Sequence, residues 1–192
     1  MEQKSLDKII QGFNKSDFVI IEARPSVGKT AFALNIVNNL CFKQNRSVGF
    51  FTLEMPSKSI VRRLISLNAD IEYHKIYSNL MNKNELIAYN KSLSELNKLS
   101  LYIESTQGIQ IYELKAQSRQ MKKNSNVEII FIDYISLITV SHNDIPRFEQ
   151  VEFLSRTIRV LALELEILII ALSQVARSTE GKEPSLATLR EL

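Results

Sequence analysis

The sequence predicts an α/β fold, a mostly parallel sheet flanked by helices on both faces. Short apolar runs recur along the 192 residues, at 18–21, 48–53, 101–103, 127–132 and 167–172. Between them lie stretches whose apolar residues fall at helical spacing. The runs are mostly continuous apolar stretches rather than alternating ones, which is the mark of strands buried on both faces.

The elements follow in order. The run Phe18-Val19-Ile20-Ile21 reads as a buried strand, and 30–42 as a helix with Phe32, Leu34, Ile36, Val37 and Leu40 apolar. A second strand is expected at 48–53. Pro56 then closes a loop, and Ser57 is expected to cap a helix to about residue 67. Asn82 and Glu85 have capping-box spacing for a polar helix ending near Lys98, before a third strand at 101–103. Ile111, Leu114, Ser118 and Met121 share one face of the next helix. The most apolar strand, 127–132, runs straight into Asp133. A polar loop at 141–146 precedes a long helix marked by Val151, Leu154, Ile158, Leu161 and Leu165. The fifth strand, 167–172, is followed by a polar tail.

Length fits a single domain, 1–192, and 45% hydrophobic residues allow a core without covalent staples. The one cysteine, Cys41, excludes an internal disulfide and reads as a small buried residue. With no signal peptide and no run of about 18 apolar residues, a cytoplasmic protein with no membrane partner is expected. A net charge of +3 permits nucleic-acid contact without arguing for it. Two histidines and one cysteine are too few for a zinc site built on those residues.

In parallel sheets ligands bind outside the carboxyl ends of the strands, so chemistry is sought directly after each apolar run. After the first stands Ala23-Arg24-Pro25-Ser26-Val27-Gly28-Lys29-Thr30, the phosphate-binding P-loop pattern with alanine in place of the first glycine. Gly28 lets backbone amides approach phosphate oxygens. Amides from about Val27 to Thr30 face the anion at a helix start, and Ala31 continues that turn. Lys29 supplies a mobile point charge for the outer phosphates, and Thr30 a hydroxyl for magnesium. A chance match in a chain of this size runs at about one per cent.

After the second strand Glu54 is placed to orient and deprotonate an attacking water. After the fourth, Ile129-Ile130-Phe131-Ile132-Asp133 has the Walker B form, in which the carboxylate holds magnesium. After the fifth, Gln174 can bond the outer phosphate or the catalytic water. The implied ligands are ATP and Mg2+. Arg177, Lys182 and Arg190 are candidate contacts to nucleic-acid phosphates. Arg62 and Arg63 lie on the helix after Glu54, where they could approach nucleotide but carry no assigned role, and Tyr73, Tyr77 and Tyr89 form no evident base-stacking row.

These motifs resemble the motor domain of DnaB-type replicative helicases. The stretch from Ala23 to Ile36 is similar to that family's P-loop almost residue for residue. The resemblance extends to Phe51-Thr52-Leu53-Glu54-Met55, to Ile132-Asp133-Tyr134-Ile135-Ser136-Leu137-Ile138, to Ala171-Leu172-Ser173-Gln174 with Arg177, and to Leu189-Arg190-Glu191. It covers nearly the whole chain, from about Ser5, with Gly12-Phe13 in the lead-in to the first strand. It implies a RecA-like fold, a hexameric ring of copies around single-stranded DNA, and ATP hydrolysis at subunit interfaces coupled to translocation in replication. It also implies primase and a helicase loader as partners. By resemblance Glu54 is the catalytic carboxylate, Asp133 the magnesium partner, Gln174 the phosphate sensor, and Arg177, Arg190 and Glu191 part of the DNA-contacting segments. The family pattern further implies a fragment, beginning at the motor domain and truncated before the last strands and the arginine finger.

Two readings stay open beside the helicase motor. A recombinase or clock-type ATPase would share the fold, the P-loop, Glu54 and Asp133. A nucleotide-dependent binding module or loader would hydrolyse little, and Glu54 speaks against it.

Overall fold

The computed structural model describes residues 12–140 and 146–174. In chain order the elements are β1 (Phe18–Ala23), α1 (Lys29–Asn38) with a π-helical turn (Asn39–Lys43), β2 (Val48–Thr52), α2 (Ser57–Ala69), α3 (Tyr73–Tyr77), α4 (Lys83–Leu96), β3 (Leu101–Glu104), α5 (Ile111–Ser125), β4 (Ile129–Asp133), a 3-10 turn (Ile135–Leu137), α6 (Arg147–Leu165) and β5 (Leu168–Gln174). The five strands form one sheet, β1-β5-β4-β2-β3, and every pairing is parallel. This is the α/β architecture expected from the sequence.

Parallel strands need crossovers, and right-handed crossovers place each helix by the direction in which its connection steps across the sheet. The connections from β1 to β3 step one way and carry α1–α4 to one face. There Leu34, Val37, Ile60, Leu64 and Leu96 pack with Phe50, Phe131, Ile170 and Leu172. The connections from β3 to β5 step back and carry α5 and α6 to the other face. There Leu114, Leu154, Ile158 and Leu161 pack with Phe51, Ile130, Ile132 and Ile169. Alternate residues of one strand therefore feed different cores: Phe131 faces one helical layer, Ile130 and Ile132 the other. Cys41 is buried in the first layer, and burial pushes its thiol up to about 12.

Several boundaries differ from the sequence-based expectation. Ser57 is the first helical residue of α2 and not its cap; Pro56 holds that place in extended conformation without a side-chain bond. The capping box of α4 forms as expected, with the Glu85 amide donating to Asn82 Oδ1 at 2.9 Å and the Asn82 amide to Glu85 Oε2 at 2.8 Å. The short helix α3 has no periodic signal, since Ile76 is its only buried residue. β5 runs two residues beyond its apolar core because β1 pairs with it through Glu22↔Ser173 and Ala23↔Gln174. Among the described residues β1 is an edge strand, and its Ile20 is 44% exposed. On the basic face of α5, Arg119 is bound by Glu164 of α6 at 2.7 and 2.8 Å, while Lys123 is exposed. Among the described residues no helix is long and apolar enough to cross a membrane.

Gly49 in the centre of β2 is set by crowding: a Cβ there would lie 3.0 Å from Met121 Sδ and 3.2 Å from Ile130 Cγ1. A branched side chain would push α5 off the sheet. We expect Gly49→Val to destabilise the fold by about 1–3 kcal/mol, the usual cost of overpacking. Urea unfolding with an unchanged midpoint would contradict it.

Candidate functional site

The parallel register places the carboxyl ends of β1, β5, β4 and β2 along one rim of the sheet. Ala23 lies beside Gln174, and Asp133 beside Thr52. From Ala23 the chain must turn sharply into α1. Ser26 (φ 62°) and Gly28 (φ 94°) adopt the left-handed conformation that makes this possible. A Cβ on Gly28 would meet nothing within 4 Å, so the requirement for glycine is conformational and not steric. Gly28 is the N-cap of α1, and the first turn of α1 contains no acidic residue. Its free amides and the positive end of the helix dipole are thus left for an external anion.

Asp133 is the pivot. It is 1% exposed, and its Oδ2 accepts a hydrogen bond from Thr30 Oγ1 at 2.7 Å. Its Oδ1 is buried and has no hydrogen-bond partner in the protein. Burial raises the Asp133 pKa above the ordinary carboxylate value; the Thr30 bond and the charges of Lys29 and Arg63 oppose that rise, and Glu54 adds to it. The Lys29 ammonium rests 4.2 Å from the ring centroid of Tyr134. Burial lowers its pKa, against the pull of Asp133 and Glu54. The turn after β2 is held at both ends, with Leu53 N–H donating to the Asp133 carbonyl at 2.8 Å and Thr52 Oγ1 to the Met55 carbonyl at 2.8 Å. Glu54 is thereby presented to solvent at the lip of the site.

A cleft of about 320 Å³ joins these elements, lined by Arg24, Pro25, Ser26, Gly28, Lys29, Thr30 and Ala31 of the loop with Glu54, Met55, Arg63 and Gln174. The structure therefore brings Lys29, Glu54, Gln174, Thr30 and Asp133 together. Ala23 closes β1 behind the loop, and Val27 points outward, 64% exposed. Arg177, Lys182, Arg190 and Glu191 lie outside the described residues. A larger hollow of about 400 Å³ at the other end of the sheet, among Phe13, Arg46, Lys122 and Glu128, gathers no comparable set.

Sequence reasoning placed Arg62 and Arg63 within reach of a nucleotide but gave no role to Arg63, Met55 or Tyr134. Helical spacing puts both Arg62 and Arg63 at the margin of the Ile60–Leu64 stripe, so nothing in the pattern separates them.

A family model described as the DnaB-like helicase C terminal domain matches residues 2–192. The chain belongs to that family. It is 36% identical over 190 residues to the replicative DNA helicase DnaB of Geobacillus stearothermophilus, covering 97% of this chain and 42% of that protein. It is 38% identical over 200 residues to the DnaB of Rickettsia bellii, covering 97% and 40%. The chain thus spans about two fifths of the length of the curated relatives it matches. Among solved structures, one described as an ATPase domain superposes with a TM-score of 0.88 and 31% identity, covering 98% of this chain and 68% of that one. A DnaB-like replicative helicase described with its interactions with primase gives the same TM-score and identity, covering 98% and 46%. The fold of this DnaB-type domain is RecA-like, as the resemblance implied.

The electrostatics of Asp133 yield an expectation for stability without ligand. Its pKa is raised in the folded state, so ionisation at neutral pH weighs against the fold, and the penalty fades as pH falls and the folded form takes up a proton. Asp133→Asn keeps the shape and can keep the Thr30 bond while removing the buried charge. We expect it to melt above the parent protein at pH 7, with the gap narrowing toward acid pH. A lower melting temperature at pH 7 would contradict the assignment of burial as the dominant cause.

Proposed function

We propose that this chain is the ATP-hydrolysing motor unit of a replicative DNA helicase, acting in the cytoplasm on single-stranded DNA as copies arranged in a ring. The observation that carries the reading is the buried Asp133–Thr30 pair beside Lys29 at the head of α1, in a chain of the DnaB-like family. The names of its relatives support replication as the setting and primase as a partner, and a helicase loader belongs to the same proposal.

In this reading the amides at the start of α1 and the Lys29 ammonium hold the phosphates of ATP. The orphaned Asp133 Oδ1 and the Thr30 hydroxyl fit a hydrated divalent cation such as Mg2+. Magnesium, when bound, neutralises charge building on the phosphate oxygens. Glu54, at the solvent lip, takes the proton of the attacking water. Gln174, at the end of β5 and paired with the loop strand β1, senses the outer phosphate. Arg177, Arg190 and Glu191 are proposed DNA contacts on the segment after β5.

The test is ATP turnover with and without single-stranded DNA. Lys29→Ala is expected to abolish turnover and to weaken binding of a fluorescent ATP analogue. Glu54→Gln is expected to keep that binding within about threefold, yet to lose turnover by about a hundredfold to ten-thousandfold, the usual worth of a general base. Near-normal turnover in either variant would sink the role given to that residue.

A further inference from the structure

Lys29 is held by a ring and not by a carboxylate. Two acids stand near it, and the charges of Asp133 and Glu54 both reach its ammonium. Yet Lys29 forms no ion pair among the described residues. Its Nζ lies instead 4.2 Å from the ring centroid of Tyr134. That ring is anchored. Tyr134 follows Asp133 in extended conformation (φ −128°, ψ 160°) and leads into the turn Ile135–Leu137, whose Ile135 is fully buried. The Leu137 amide closes the turn by donating to the Tyr134 carbonyl at 3.0 Å. The Tyr134 ring packs against the core of the α1–α4 layer. The end of β4 therefore carries both the buried Asp133 and an aromatic face that competes with it for Lys29.

An ion pair and a ring contact leave a lysine in different states. A carboxylate would take up ammonium donors in a charge-assisted bond, and that bond would have to break before a phosphate could replace it. The face of a ring attracts the cation through its quadrupole and carries no net charge. The ammonium keeps its full charge and the N–H groups that point away from the ring. Asp133 is spared as well, since its Oδ1 is left without a partner in the protein. We propose that Tyr134 is a positioning residue whose ring holds the Lys29 ammonium ready for nucleotide phosphates and off Asp133 and Glu54. The inference rests on the nucleotide reading above. A ring that served only as packing would act by its shape, whereas this one acts by the negative charge of its face. Fluorination separates the two, because it nearly keeps the shape of the ring and reverses its quadrupole.

The experiment titrates this chain with fluorescent N-methylanthraniloyl ADP in the parent, Lys29→Ala, Tyr134→Phe, Tyr134→Leu and a Tyr134→Phe variant made with pentafluorophenylalanine. Melting temperature is the control for folding. Tyr134→Phe should bind within about threefold of the parent, since it keeps the aromatic face. Fluorination should weaken binding about fivefold or more relative to Tyr134→Phe, and Tyr134→Leu should lose about as much, within the worth of a desolvated contact between a cation and a ring. In proton NMR of the empty protein, the Lys29 ε-methylene signal, assigned by its loss in Lys29→Ala, should be shifted upfield by the ring it lies over. Tyr134→Leu should abolish that shift. If the leucine variant fails to fold, the fluorinated ring decides the matter. Equal affinities for the plain and the fluorinated ring, or a loss already complete in Tyr134→Phe, overturn the role given to the ring. Binding by the parent and its loss in Lys29→Ala would then leave the nucleotide reading standing. A parent that binds no nucleotide overturns both.

Discussion

Parallel pairing in one register is the constraint on which the site depends. Because β1, β5, β4 and β2 run the same way, Ala23, Gln174, Asp133 and Thr52 end on one rim although they are scattered along the chain. The register is enforced from both sides. Each strand sends alternate residues into two cores, and a slip of one residue would exchange them. Gly49 lets Met121 of α5 and Ile130 of β4 approach β2 closely, and the β2–β4 ladder sets Asp133 beside Thr52.

That delivery puts a carboxylate where it is electrostatically unfavourable. Asp133 is buried at the end of an apolar strand, and its charge is supported by the Thr30 hydroxyl, Lys29 and Arg63. Lys29 is likewise burdened by its own burial and supported by Asp133 and Glu54. Each group makes the other's charged state tolerable without forming a closed ion pair, so both remain available to a charged ligand. Such arrangements weigh against stability and are characteristic of functional sites. Glu54 stands apart: held on a turn fixed by Thr52 and Leu53, it stays in solvent, which is compatible with the proton-accepting role proposed for it.

Two cations of the cleft rest on aromatic faces, Lys29 on Tyr134 and Arg63 on Tyr73. An aromatic face orients a cation without neutralising it, unlike a carboxylate. Membership of the DnaB-like family defines the scaffold. The chemistry resides in these side chains, since one scaffold serves several activities.

The sequence by itself determined the strands, the helices of more than about ten residues, the phosphate loop and the two acidic strand ends. These are legible because burial writes a periodicity into the chain and because a phosphate loop needs glycine, lysine and threonine at fixed offsets. It could not determine where β5 ends, since Ser173 and Gln174 are polar and join the ladder only because β1 is there to pair with them. It missed α3, whose single buried residue leaves no period to detect. Nor could it separate Arg62 from Arg63. On the helix both flank the buried stripe, and only the tertiary placement of α2 beside the phosphate loop sets Arg63 in the cleft with Lys29 and leaves Arg62 on Tyr77 outside it.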